Sequence, residues 1–133
     1  MPYHQLFYHL VWGTRGREPW LTSAVEPLAH QFIREKSLAL GGTVFGVNGM
    51  QDHVHLLVSI PPKRSVADFV GQVKSISSTL LNRCDQLAHR FAWQSEYGAF
   101  SLDRKRLPAL ISYVEQQKEH HAQARTIAIL ERY

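Results

Sequence analysis

The chain has little of what would staple, anchor or loosen a protein. Of its 133 residues only one is cysteine, Cys84. That excludes an internal disulfide framework and a zinc cage built from several thiolates. A reducing compartment is therefore the default, and Cys84 itself reads as a small buried hydrophobe. No run of about 18 apolar residues occurs, so nothing reads as a membrane-spanning helix. The opening MPYHQLFYHLVW has neither a charged leader nor a cleavage site, which predicts no secretory signal. Internal repeats and low-complexity linkers are absent too, and a single domain over residues 1–133 is the simplest expectation.

Acidic residues are the scarcer sign of charge. Lys plus Arg is 15 against 11 for Asp plus Glu, giving +4 with histidine neutral. So mild a balance permits a polyanionic partner without requiring one. Apolar residues reach 44%, enough for an ordinary globular core at this length. Histidine is abundant, with 8 in the chain.

Residues 4–12 alternate, placing Leu6, Tyr8, Leu10 and Trp12 on one side of a half-buried strand. A basic loop, Gly13 to Pro19, follows. Thr22 or Ser23 caps a helix with Val25, Leu28, Ala29, Phe32 and Ile33 inward, running to about Leu40 and stopped by Gly41-Gly42. Thr43 to Asn48 reads as a second strand, with a short turn around Asn48-Gly49. The clearest strand is His53 to Ile60, ended by Pro61-Pro62. Ser65 with Asp68 reads as the start of a helix whose period runs through Val66, Phe69, Val70, Val73, Leu80 and Leu81 to about Arg83. Tyr97 to Leu102 forms a fourth strand. Pro108 suits the first turn of a last helix with Leu107, Leu110, Ile111 and Val114 inward, continuing helically past Ala122. The order is β-α-β-β-α-β-α. It predicts an α+β fold, a ferredoxin-like (RRM-like) antiparallel sheet with helices packed on one face.

Three constellations carry chemistry. Strand side chains alternate, so His53 and His55 project one way while Val54, Leu56, Val58 and Ile60 project the other. Two imidazoles on one face can reach one metal ion, and Asp52 beside them can orient a ring. Two half-exposed histidines on a sheet is the plainer alternative. On the last helix Tyr113 and Gln117 lie one turn apart. A phenol beside a metal can act as a nucleophile despite an ordinary pKa of about 10, and the Gln117 amide oxygen can be a neutral ligand. A surface Tyr and Gln is the alternative. His120-His121 either serves the site, binds phosphate, or favours the helix C-terminus. Basic residues that could track a phosphate backbone include Arg15, Arg17, Lys74, Arg104 and Lys105. Trp93 could stack on an unpaired base or belong to the core.

Taken together, these segments resemble the single-tyrosine HUH transposases of insertion sequences (the IS200-like family) and their relatives associated with repetitive extragenic palindromes. The resemblance rests on Asp52-His53-Val54-His55-Leu56-Leu57-Val58 with Ile60-Pro61-Pro62, and on Val73-Lys74-Ser75-Ile76-Ser77-Ser78. It rests also on Trp93 to Ser101 and on Tyr113-Val114-Glu115-Gln116-Gln117 with His120-His121. It runs from about His4 to His121. Gln116 departs from the pattern, since relatives often carry Asn there, and the phrase around Lys74 is less basic than in many of them.

The resemblance implies a sheet bearing the histidine pair, faced by a helix bearing the nucleophile Tyr113. His53, His55 and Gln117 would hold one Mg²⁺ or Mn²⁺, though zinc also suits these donors. The implied reaction is cleavage and rejoining of hairpin-bearing single-stranded DNA through a 5′-phosphotyrosine. Lys74, Arg15, Arg17, Trp93, Arg104, Lys105, His120 and His121 are the expected DNA contacts. A cytoplasmic, nucleoid-associated homodimer is expected, with the tyrosine helix acting within its own subunit or on the partner's site. The alternatives are a domesticated palindrome-processing nuclease, a metal-dependent hydrolase using water, or a non-catalytic nucleic-acid-binding module of the same fold.

Overall fold

The computed structural model describes residues 6–118. Its elements, in chain order, are β1 (Phe7–Gly13), α1 (Glu26–Ala39), β2 (Thr43–Met50), β3 (His53–Ser59), α2 (Val66–Asn82), β4 (Gly98–Leu102) and α3 (Leu107–Glu115), with one 3-10 turn at Arg15–Arg17 after β1. The four strands form one sheet in the order β2-β3-β1-β4, and every neighbouring pair is antiparallel. This is the ferredoxin-like arrangement the sequence predicts.

The two faces of the sheet are used differently. Tyr8, Leu10 and Trp12 of β1 and Val54, Leu56 and Val58 of β3 share the face covered by α1 and α2. Ala29 and Ile33 of α1 and Phe69, Val70, Val73 and Leu81 of α2 complete this core. Each fully buried Leu, Ile or Phe here contributes roughly 1.5–3 kcal/mol relative to exposure. The helix layer on this face therefore consists of α1 and α2. The third helix lies on the opposite face, where Tyr113 and Val114 pack on Leu57, with Phe45, Leu102, Leu110 and Ile111 around them. Among the described residues no helix is long and apolar enough to cross a membrane.

The helix ends show where local signals prevailed. Ser65 caps α2 as expected, its side chain accepting from the Asp68 amide at 3.0 Å. Gly41, at φ +86, takes the left-handed position that ends α1. At the start of α1 the expectation needs correcting. Neither Thr22 nor Ser23 caps with its side chain; the Thr22 carbonyl receives the Val25 and Glu26 amides and the helix begins at Glu26, with Pro27 in its first turn. Cys84 is half-buried rather than buried, at the end of α2.

The β2-β3 connection is a second correction. Met50 pairs with His53, so Gln51-Asp52 is the two-residue turn and Asn48-Gly49 lies inside the strand. Gly49 is needed there because a Cβ would collide with the His53 carbonyl and the Val54 backbone. Asn48 is held by contacts to α3, described below. The expected helical stretch past Ala122 lies outside the described residues.

Candidate active site

The site begins with the alternation of β3. Val54, Leu56 and Val58 are fully buried against the helices, so the register cannot slip by one residue without driving imidazoles into the core. His53 and His55 are thereby fixed on the α3 face, opposite Gly13 and Val11 of β1. Their ring centroids are 5.1 Å apart, and His55 is fully buried.

Each histidine has a partner at Nδ1. Asp52, in the hairpin turn, brings Oδ1 to 2.7 Å from His53 Nδ1. Its other oxygen accepts from Arg17 Nε at 3.1 Å and Nη2 at 2.9 Å. Burial pushes the Asp52 carboxyl up, but His53 and Arg17 together outweigh that and hold it below the usual carboxylate range. A carboxylate at Nδ1 selects the tautomer whose lone pair is on Nε2, the common arrangement behind a metal-binding imidazole. At His55 the partner is a third histidine: His9 Nε2 lies 2.7 Å from His55 Nδ1.

Sequence reasoning missed His9. Its signal was parity, because a strand with Leu6, Tyr8, Leu10 and Trp12 toward the core must send His9 to the other side. Nothing in the sequence said that this side would meet the histidine pair, since that depends on β1 lying between β3 and β4.

Tyr113 comes from α3. Its ring stands edge-on to His55, with centroids 6.3 Å apart and planes at 80°. Gly46 of β2 faces Val114 of α3; a Cβ there would sit 3.5 Å from Val114 Cγ1, in ordinary van der Waals contact. α3 ends at Glu115, with Gln116 (φ −100, ψ 21) as its C-cap, so the helix is interrupted between Tyr113 and Gln117. Even so, Gln117 is fully buried. The chain around it is pinned to β2: Asn48 Nδ2 donates to the Glu115 carbonyl at 3.0 Å. Lys118 Nζ donates to Asn48 Oδ1 at 3.0 Å, to the Gly49 carbonyl at 3.1 Å, and pairs with Glu26 of α1 at 2.8 Å. Asn48 is the cross-strand neighbour of His55.

These residues fit a divalent metal on chemical grounds. Among the described residues no three His, Cys, Asp or Glu side chains gather as a metal cluster, so the histidine pair would need a third donor of another kind. Gln117 supplies a reason to look at a carboxamide. Its Oε1 and Nε2 are both buried without a hydrogen-bond partner among the described residues. A buried amide left so is costly unless something else satisfies it.

The expected DNA contacts divide. Arg15, Arg17, Arg104 and Lys105 are exposed. Arg17 is occupied by Asp52 and lines a cleft of about 680 Å³ beside His53, together with Leu21, Glu26, Met50 and Lys118. Lys74 is engaged inside the fold, donating to the Gln94 carbonyl at 2.6 Å and the Glu96 carbonyl at 3.1 Å, and burial lowers its pKa. Trp93 belongs to the core, 7% exposed, with its indole N–H on Ser77 Oγ at 2.9 Å. The structure therefore does not bring Lys74 or Trp93 to the histidine face. His120 and His121 lie outside the described residues.

Known proteins agree with this architecture. The family model described as "Transposase IS200 like" matches residues 2–117. The ISDra2 transposase TnpA of Deinococcus radiodurans is 27% identical over 121 residues, covering 87% of this chain and 86% of that one. The transposase for insertion sequence element IS200 of Salmonella typhimurium is 28% identical over 74 residues, 56% of this chain and 49% of its own. Among solved structures, one from Deinococcus radiodurans R1 assigned as a transposase superposes with a TM-score of 0.70 at 24% identity, covering 88% of this chain and 95% of its own. A REP-associated tyrosine transposase bound to a REP hairpin superposes with a TM-score of 0.65 at 10% identity, covering 95% and 76%. These two share the fold. The match over residues 2–117 goes further: the chain belongs to the IS200-like transposase family.

Proposed function

We propose that this transposase cuts and rejoins single-stranded DNA next to hairpins, through a covalent bond between Tyr113 and a 5′-phosphate. The observation that carries the reading is the Tyr113 ring standing edge-on to His55, 6.3 Å away, over a histidine pair. A phosphate oxygen can be gripped at such a pair while a phenol approaches phosphorus.

His53, His55 and Gln117 would hold Mg²⁺ or Mn²⁺. Such an ion supplies Lewis-acid polarisation of a non-bridging phosphate oxygen. Asp52 and His9 keep the two imidazoles oriented, and the packing of α3 on Leu57 sets the height of the phenol above them. In the reaction Tyr113 Oη bonds to phosphorus and gives up its proton. The bond from phosphorus to the 3′ oxygen breaks, and that oxygen leaves as a hydroxyl. One phosphodiester is exchanged for another, so the 3′-hydroxyl of a second strand can reverse the step and join DNA without a nucleotide cofactor. Exposed Arg15, Arg104 and Lys105 would contact the strand's phosphates. That a protein of this fold binds a REP hairpin supports a hairpin substrate here.

The working unit is a homodimer in this reading. Tyr113 sits over the histidine pair of its own chain, and the turn at residues 103–106 before α3 is where an exchange of that helix between subunits would pivot.

The test is incubation with a pool of hairpin-flanked single-stranded DNAs and Mn²⁺, resolved on a denaturing gel. A protein–DNA band that vanishes with chelator and in Tyr113→Phe is expected. Cleavage without such a band would instead indicate water as nucleophile, and binding without cleavage would indicate a binding module.

A further inference from the structure

We propose that His9 is a positioning residue for His55, holding its ring by Nδ1 so that the His55 Nε2 lone pair serves the metal position. The inference rests on the ligand assignment proposed above and adds to it a residue outside the histidine motif.

The placement follows from strand register. His9 lies opposite Leu57 on β3 and opposite Phe100 on β4, so β1 is paired on both sides at this point. His55 sits two residues from Leu57, on the diagonal that long side chains reach across an antiparallel pair. The two rings meet edge to edge and nearly in one plane, with centroids 5.0 Å apart and planes at 24°, as an in-plane N–H···N bond requires, and the Phe100 ring lies 6.1 Å from His9. His9 and His55 are both fully buried. At 2.7 Å the two nitrogens share one hydrogen.

That hydrogen has two possible homes. If His9 Nε2 carries it and donates to His55 Nδ1, a neutral His55 must carry its own proton on Nε2, and that atom cannot ligate. If His55 Nδ1 carries it and donates to His9 Nε2, the lone pair lies on His55 Nε2. Only the second arrangement matches His53, whose Nδ1 faces the Asp52 carboxylate. The two imidazoles are then oriented alike, one by an anion and one by a neutral ring. Sharing a metal is a poorer account of the contact. Cis donors each about 2.1 Å from one octahedral ion stand about 3.0 Å apart, against 2.7 Å here.

The tautomer is read directly from ¹⁵N chemical shifts of the full-length, histidine-labelled protein without metal or DNA. His55 is expected to carry its proton on Nδ1, and to become a tautomer mixture in His9→Ala. Mn²⁺ binding, followed by calorimetry, should weaken about tenfold or more in His9→Ala. His9→Gln, whose amide oxygen can accept from His55 Nδ1, should restore affinity to within about threefold. A wild-type His55 protonated on Nε2 overturns the proposal, as does a folded His9→Ala protein with unchanged Mn²⁺ affinity. Should His9→Ala not fold, the wild-type tautomer decides alone. None of these measurements involves DNA, so a missing protein–DNA adduct would count against the cleavage reaction and not against His9.

Discussion

The Asn48 side chain donates to the Glu115 carbonyl at 3.0 Å, joining two positions 67 residues apart in the chain. With Lys118 on the same Asn48, it ties the end of the tyrosine helix to the strand beside His55. The contact is partly exposed, so its loss costs only about 1 kcal/mol in stability. Its effect on reaction geometry should be larger. Asn48→Ala is expected to lower the rate of adduct formation about tenfold or more, because small misplacements of a reacting group are expensive in rate. Stopped-time gels and chemical denaturation on the same variant check this; equal losses in both would mean that Asn48 only stabilises the fold.

A pH dependence follows from His30 on α1. Burial, with the Lys118 and Arg34 charges adding to it, lowers its pKa to about 4. Glu26 does not rescue the charged form: it stands 3.9 Å away and is already engaged by Lys118. The unfolded pKa is about 6.5, so the folded state binds fewer protons between these values. The contribution of His30 to stability should be constant above about pH 6.5, fall through the interval, and level off near the folded value, with a loss of up to about 3 kcal/mol. Urea unfolding at pH 7.5 and pH 4.5 measures it, and His30→Phe should reduce the difference by the His30 share.

Lys74 and the pair Arg104 and Lys105 should behave oppositely. Lys74 clasps two carbonyls of the segment before β4. Lys74→Met should cost about 1–3 kcal/mol of stability and leave the salt dependence of DNA binding unchanged. Replacing the exposed Arg104 and Lys105 with alanine should leave stability alone and reduce the slope of log affinity against log salt by about 0.7 per lost phosphate contact. Binding titrations at several salt concentrations separate the two.

What the sequence made legible was periodic. β3 alternates so cleanly that the shared face of His53 and His55 could be read from spacing, and the caps and apolar stripe of α2 likewise. What it hid depended on tertiary placement. Asn48-Gly49 carries the composition of a turn, yet Gly49 answers a backbone contact with His53 and Asn48 answers α3. His9 looked like any outward-facing strand residue until the order β2-β3-β1-β4 set it beside His55. Lys74 and Trp93 had the residue types of a DNA surface, and burial against the 91–97 segment was not visible in them. The interruption at Gln116 shows the limit of helical spacing: Gln117 is buried beyond a break, held there by its neighbours' contacts with β2.

The most direct test of the central claim is peptide mapping by mass spectrometry after reaction with hairpin-bearing single-stranded DNA and Mn²⁺. A nucleotide attached through its 5′-phosphate to Tyr113, and to no other side chain, is the predicted result. Cut DNA with an unmodified Tyr113, or with the nucleotide on another residue, would contradict it.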